Sequence, residues 1–124
     1  MKLKVKTEQD VIHIISKAKK FALENGMDNI KSVEIATIIS ELSYNIIKYA
    51  HSGVITVESL EDGILVSALD NGTGIKNVDK ALADGFSSSG TLGLGIPGII
   101  RLSDEFDIKT SKNGTEITVV KRFI

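Results

Sequence analysis

The sequence contains no cysteine, which excludes disulfide bonds, thiolate metal ligands and cysteine nucleophiles. It has one proline and no tryptophan, and no apolar run approaches the length of a membrane span. The first ten residues, MKLKVKTEQD, lack the apolar stretch of a signal peptide. Neither sign of charge predominates, because 15 Lys and Arg residues are balanced by 16 Asp and Glu residues. This balance argues against nucleic acid or an anionic membrane as a partner, and we expect a cytoplasmic protein.

The 124 residues are enough for one domain with a hydrophobic core, and we predict a single domain over 1–124. KLKVK predicts an edge strand, and helical spacing predicts one helix from Thr7 to Gly26 and another over about 30–50. Two hairpins are predicted, VITVESL with ILVSAL and FDIKT with TEITVVKRF. Short helical stretches are expected at 78–83 and 99–102. The pattern predicts an α/β (α+β) two-layer sandwich, in which helices cover one face of a mixed, mostly antiparallel sheet.

The predicted second helix carries a polar stripe on an otherwise apolar surface. The stripe recurs at intervals of three or four residues and consists of Glu34, Thr37, Glu41, Asn45 and Lys48. A solvent-exposed face explains many such stripes, but here the apolar arc is wide, and Asn is a mediocre residue for a helix interior. A Glu one turn from an Asn can also offer a base and a neutral oxygen ligand to one bound group. Mg²⁺ prefers such oxygen ligands and takes others from water and substrate phosphates.

Two further segments combine glycines with features that suit a nucleotide. Asp70 ends an apolar strand, where a carboxylate is unexpected, and Gly72 and Gly74 follow it. An ordinary turn explains DNG, but a carboxylate in this place can also accept a hydrogen bond from an amine such as that of adenine. GTLGLGIPG, which includes Gly93 and Gly95, leads into a predicted helix and can offer backbone N–H groups to phosphate. It matches neither a Walker A loop nor a dinucleotide fingerprint, so a flexible surface loop stays an alternative.

Taken in order, these motifs resemble those of a known family. ELSYN, DNGTGI, GTLGLG and GTEI are similar to the motifs of the GHKL ATPase superfamily, whose members share the Bergerat ATP-binding fold. The stretch DGFSSSGTLGLGIPGIIRLSDEF resembles the small partner-switching serine kinases of bacteria, in the switch-kinase (RsbT-like) branch related to anti-sigma factor kinases. The resemblance covers residues 7–123.

The resemblance implies a role for each motif residue. Glu41 corresponds to the general base, and Asn45 to the ligand of the Mg²⁺ that bridges the phosphates of ATP. Asp70 corresponds to the residue that binds the adenine amino group, with Thr115 assisting through water. Residues 77–92 correspond to a short ATP lid. The backbone is expected to approach the nucleotide at Gly72, Gly74, Gly93 and Gly95, and charge near the phosphates is expected from Lys48 and Arg101.

The function implied is that of a Mg²⁺-ATP-dependent serine/threonine protein kinase. Its substrate would be a small STAS-domain antagonist protein in a bacterial partner-switching pathway, with a sigma factor or a downstream phosphatase as further partners. Two alternatives stay open. One is an ATP-gated binding module, like an anti-sigma factor, with little or no phosphotransfer. The other is a slow ATPase in which closure of the lid drives a conformational cycle.

Overall fold

The computed structural model describes residues 1–75 and 95–124, and the structural statements below refer to these residues. In chain order the elements are β1 (Lys2–Val5), α1 (Glu8–Glu24), α2 (Asn29–Tyr49), β2 (Gly53–Ser59), β3 (Gly63–Asp70), α3 (Gly95–Leu102), β4 (Glu105–Ser111) and β5 (Gly114–Arg122). The helical stretch predicted at 78–83, the predicted lid at 77–92 and Gly93 lie outside the described residues.

The strands form one five-stranded sheet in the order β1-β2-β3-β5-β4. Both predicted hairpins are confirmed, as β2 with β3 and β4 with β5, and the predicted edge strand β1 is at one side of the sheet. All four strand pairs in the described part of the chain are antiparallel, whereas the prediction allowed a mixed sheet. Short hairpin connections explain part of this result, because neighbouring strands joined by a tight turn must run in opposite directions.

The first helix begins at the capping box that the sequence predicts. The side chain of Thr7 accepts a hydrogen bond from the Asp10 N–H, and the Asp10 carboxylate accepts from the N–H groups of Thr7 and Lys6, both at 2.9 Å. The Thr7 donor, followed by the Lys6 donor, lowers the pKa of the exposed Asp10 carboxyl below its ordinary value. The helix ends at Glu24, and Gly26 then turns the chain with a φ of 98°.

The helices cover one face of the sheet and enclose a single main core. Alternate residues of β3 and β5 point into that core, and α2 contributes the longest apolar surface, made by Ile35, Ile38, Ile39, Leu42 and Ile46. Burial of this surface is the main stabilising contribution to the fold. In the part of the chain that the structure describes, each helix is too short or too polar to cross a lipid bilayer.

Candidate nucleotide-binding site

The polar stripe on α2 has different surroundings along its length. At its first turns, Glu34 pairs with Lys121 of β5 at 3.3 Å, and the Thr37 hydroxyl donates to a backbone carbonyl of the same helix at 3.0 Å. Further along, Glu41 is buried with 5% of its surface exposed, Asn45 is half-buried and Lys48 is exposed. Glu34 and Thr37 therefore serve the fold. The withdrawal of Glu41 and Asn45 from solvent agrees with an enclosed site rather than a solvated helix face.

Asp70 lies in a row of residues that crosses the sheet. In the sheet register Asp70 is opposite Thr115 on β5, and Thr115 is opposite Thr110 on β4. Asp70 and Thr115 are buried, with 6% and 5% of their surfaces exposed. The hydroxyl groups of Thr110 and Thr115 form a hydrogen bond, with their oxygens 2.8 Å apart. The sheet thus brings Asp70 and Thr115, two of the predicted site residues, side by side.

Gly72 connects the end of β3 to the end of α2. Its N–H donates to Oδ1 of Asp70 at 2.9 Å, so the carboxylate is held by its own loop. A β carbon at Gly72 would lie 2.1 Å from the carbonyl oxygen of Tyr49, the last residue of α2. The sequence predicts that this glycine allows close approach of a nucleotide. The structure shows a second requirement for glycine at this position, because the loop after β3 passes close to the last residue of α2.

The end of the same loop is fastened to β4. Gly74 has a φ of 84°, and a β carbon there would lie 2.1 Å from the carbonyl oxygen of Ser111. The next residue, Ile75, donates its N–H to the Thr110 hydroxyl at 2.9 Å. Thr110 therefore links the loop to Thr115. Thr110 was not predicted as a site residue, because its local signal is limited to its place in the alternation of FDIKT.

A small apolar cluster joins the elements that carry the motifs. Ile75, at the end of DNGTGI, is buried together with Ile96 of α3, and around them pack Tyr49, Phe106 and Ile108. The cluster therefore includes the last residue of α2, the loop after β3, the first turn of α3 and two residues of β4. It therefore joins the helix that carries ELSYN, the loop DNGTGI and the helix that follows GTLGLG.

The positions of the predicted site residues follow from this junction. Asn45 precedes Tyr49 by one helical turn, about 5.4 Å along the axis, and Glu41 precedes it by two. Gly95, with a φ of 53°, comes directly before Ile96. Asn45 and Gly95 therefore lie within about one helical turn of the junction that Ile75, in the loop after Asp70, also joins. Arg101 lies in the last turn of α3, about 9 Å along the helix from Gly95.

Comparison with known proteins identifies the family. A family model described as a histidine kinase-like ATPase domain matches residues 5–121. The chain belongs to this histidine kinase-like ATPase family. Over 96% of its length it is 39% identical to serine/threonine-protein kinase RsbT of Bacillus subtilis (strain 168), and the match covers 93% of that protein. The match confirms the family that the motifs resemble and the implied enzyme class, a serine/threonine-protein kinase.

Solved structures share the fold of this histidine kinase-like ATPase domain. The RsbU and RsbW domains of Rv1364c from Mycobacterium tuberculosis match with a TM-score of 0.70 and 17% identity, over 98% of this chain and 32% of that chain. The SiaB–SiaC complex from Pseudomonas aeruginosa matches with a TM-score of 0.67 and 14% identity, over 98% of this chain and 89% of that chain. At such low identity these likenesses show the fold alone, and they confirm the predicted two-layer architecture.

Proposed function

We propose that this serine/threonine kinase transfers the γ-phosphate of Mg²⁺-ATP to a Ser or Thr of a small STAS-domain antagonist protein, and that the transfer releases a partner held by the antagonist. The observation that carries the proposal is the junction at Ile75 and Ile96, because it gathers the motif segments at the end of α2. The likeness to the kinase RsbT over almost the whole chain supports the reaction, and a fold neighbour solved as a complex of two proteins, SiaB and SiaC, agrees with a protein partner.

In this proposal Asp70 recognises adenine. Its Oδ1 accepts from the Gly72 N–H, which orients the carboxylate and leaves Oδ2 to accept from the adenine amino group. Thr115 is beside it in the sheet and can position a water against the same ring. Guanine presents a carbonyl where adenine has its amino group, so the site should prefer ATP to GTP.

Asp70→Asn tests the adenine contact. Hydrogen bonds to a charged group contribute about 1.5–3 kcal/mol, so we expect ATP affinity to fall about 10- to 150-fold, with most of the preference over GTP lost. Titration calorimetry with each nucleotide measures both effects. The matched control is Asp107→Asn, at an exposed position on β4, which should bind ATP like the wild type. Unchanged ATP affinity in Asp70→Asn would contradict the proposed adenine site.

The donor set at Asn45 fits Mg²⁺. In residues 1–75 and 95–124 there is no group of three His, Asp or Glu side chains that could hold a metal by themselves. A site with a single neutral oxygen suits Mg²⁺ bound mainly to phosphates and water. Asn45 is half-buried and lies one helical turn from Glu41, so its carboxamide oxygen can serve as that protein ligand. When bound, Mg²⁺ supplies neutralisation of the phosphate charge.

Glu41 takes the role of general base, which accepts the proton of the attacking Ser or Thr hydroxyl. Its place on a long packed helix holds it still, and positioning is most of what phosphoryl transfer requires from a protein. Glu41→Gln keeps the shape and removes the base, so transfer from labelled ATP to a STAS protein should fall about 10²- to 10⁴-fold.

A matched control variant and an ATP-binding assay distinguish a kinase that uses Glu41 as its base from an ATP-gated binding module. Glu116→Gln, at an exposed position on β5, should transfer phosphate like the wild type. Transfer at the wild-type rate by Glu41→Gln would remove Glu41 from the role of base. Tight ATP binding without any phosphorylated product in partner mixtures would instead favour the ATP-gated binding module.

A further inference from the structure

A cavity of about 550 Å³ lies beyond the C-terminal end of α2. Three basic side chains from three segments line it, namely Lys48 from α2, His51 from the following linker and Lys112 from the turn between β4 and β5. No Asp or Glu is among the lining residues in the described chain. The ammonium group of Lys48 lies 4.9 Å from the centroid of the Tyr49 ring, which also lines the cavity.

A second cavity of about 340 Å³ adjoins the first and shares Ser52 and Asn71 with it. Lys4 and Lys6, at the end of the edge strand, line this second space. Asp70 also lines it, as the one acidic residue. Five residues with basic side chains therefore line two adjoining cavities, and we refer to this set as the basic end: Lys4, Lys6, Lys48, His51 and Lys112.

The basic end is a local feature of a chain whose formal net charge is −1. Three ion pairs lie at the opposite end of the sheet, where Lys121 pairs with Glu34 and Arg122 pairs with Asp62 and Glu105. Within residues 1–75 and 95–124, Lys4, Lys6, His51 and Lys112 form no ion pair. The charges of the three lysines are thus available to an anion from outside the chain.

The triphosphate of the proposed function explains only part of this anion site, namely Lys48, for which the resemblance implies charge near the phosphates. With adenine at Asp70 and the phosphates at Asn45 and Gly95, the phosphates point from the end of α2 toward its middle. The cavity of 550 Å³ is lined by residues 47–52 and 71–73 and by Lys112. With this orientation of the nucleotide, Lys4, Lys6 and Lys112 have no part in binding the phosphates. The inference that follows rests on this orientation of the nucleotide.

We propose that the basic end binds an acidic segment of a protein partner. Two concave spaces of this size accept carboxylate side chains, and basic groups at their rims attract them. The formal net charge of −1 argues against nucleic acid, and among the described residues Tyr49 is the only Phe, Tyr or Trp that lines either space. A partner held here would be anchored at the adenine end of the nucleotide, and the Ser or Thr that it presents to the γ-phosphate would belong to another of its segments.

The test uses ¹⁵N-labelled protein and a capped hexaglutamate peptide as the probe. We expect the largest amide shifts in the NMR spectrum at Lys6, Ser52, Thr73 and Lys112, and affinity that falls steeply as salt rises, because the contacts are exposed. Lys6→Glu/Lys112→Glu should weaken binding of the peptide about tenfold or more. The matched variant Lys19→Glu/Lys20→Glu, with the same change in charge on exposed positions of α1, should bind it like the wild type.

Several results would overturn the inference. These are absence of shifts at the basic end, equal weakening in both double variants, and displacement of the peptide by ATP, which would make the cavities part of the nucleotide site. Tighter binding of oligothymidine, or of vesicles containing phosphatidylserine, would assign the surface to nucleic acid or membrane. Binding of ATP is measured separately for each variant. A wild type that fails to bind ATP contradicts the proposed function, whereas ATP binding without peptide binding contradicts only this inference.

Discussion

Three glycines allow the cost of backbone conformation to be measured apart from the cost of crowding. Gly26 has a φ of 98°, and nothing lies within 4 Å of the position that a β carbon would take. At Gly72 no positive φ is recorded, but a β carbon would lie 2.1 Å from the carbonyl oxygen of Tyr49. Gly74 combines both features, with a φ of 84° and a β carbon 2.1 Å from the carbonyl oxygen of Ser111. Alanine at each position therefore tests one feature or both.

The expected losses in the free energy of unfolding follow from these features. Left-handed backbone costs a residue with a β carbon about 1–2 kcal/mol, which is the whole effect expected for Gly26→Ala. Crowding costs about 1–3 kcal/mol in Gly72→Ala. Gly74→Ala should lose the sum, about 2–5 kcal/mol. For a chain of 124 residues, 1 kcal/mol corresponds to about 4 °C in Tm, so Gly74→Ala should melt about 8–20 °C lower.

Urea unfolding followed by circular dichroism measures the three losses, and ATP titration of the folded variants measures the effect on the site. Gly26→Ala should keep the wild-type affinity for ATP, because Gly26 is at the turn between the first two helices. Gly72→Ala and Gly74→Ala should weaken ATP binding, because the loop that orients Asp70 must shift. A Gly74→Ala variant no less stable than Gly26→Ala would refute the close packing of this loop on β4.

Three further substitutions test single contacts. Thr110→Val removes the acceptor of the buried Ile75 N–H, and we expect a loss of about 1–3 kcal/mol in unfolding free energy and faster hydrogen exchange at the Ile75 amide. Lys121→Met removes the ammonium group that donates to the Leu102 carbonyl at 2.7 Å and pairs with Glu34. We expect the free energy of unfolding in urea to fall by about 1–3 kcal/mol. Hydrogen bonds from the backbone N–H groups of Thr7 and Lys6 lower the pKa of the Asp10 carboxyl below its ordinary value of 3.8. The ionised carboxylate therefore stabilises the fold above pH 3.8, and this contribution is lost as the pH falls through the lowered pKa. Thermal melts should therefore show a smaller loss of stability in acid for Asp10→Asn than for the wild type.

Each of these variants has a matched control outside the contact. Thr118→Val on β5, Lys109→Met on β4 and Asp107→Asn on β4 change the same side-chain types at half-buried or exposed positions, and each should change stability by less than about 0.5 kcal/mol. Equal losses in Thr110→Val and Thr118→Val would contradict the proposed link from Thr110 to the loop. Equal losses in the two lysine variants would contradict a role for Lys121 at the end of α3. Superimposable acid profiles of Asp10→Asn and wild type would contradict the capping role of Asp10.

The helices and hairpins were predictable because their signals are local. The Thr7–Asp10 capping box lies within four residues, and the alternation of β2 and β3 is visible in each strand by itself. The last helix was predicted only in part, as 99–102, whereas it begins at Gly95. Glycine and proline have low helix propensity, so this stretch looks like a loop in sequence. Burial of Ile96 and Ile99 in the folded chain outweighs that preference.

The candidate site was predictable as a set of motifs but not as an arrangement. Asp70 was identified because a carboxylate at the end of an apolar strand is unusual. The contact of Gly72 with Tyr49 and the bond from Ile75 to Thr110 join residues 23 and 35 positions apart, and no local pattern encodes such contacts. For the same reason, the polar stripe of α2 did not reveal that Glu34 pairs with Lys121 of the last strand.

The convergence of the motifs on one bound nucleotide is tested most directly by ATP loaded with Mn²⁺ in place of Mg²⁺, added to the ¹⁵N-labelled protein. The paramagnetic ion broadens the amide signals nearest to it in the NMR spectrum. We expect the strongest broadening at Asn45, Gly72 and Gly95 together, with Lys19 and Lys20 on the exposed face of α1 least affected. Strong broadening at Asn45 without Gly72 and Gly95, or at none of the three, would contradict a shared nucleotide site.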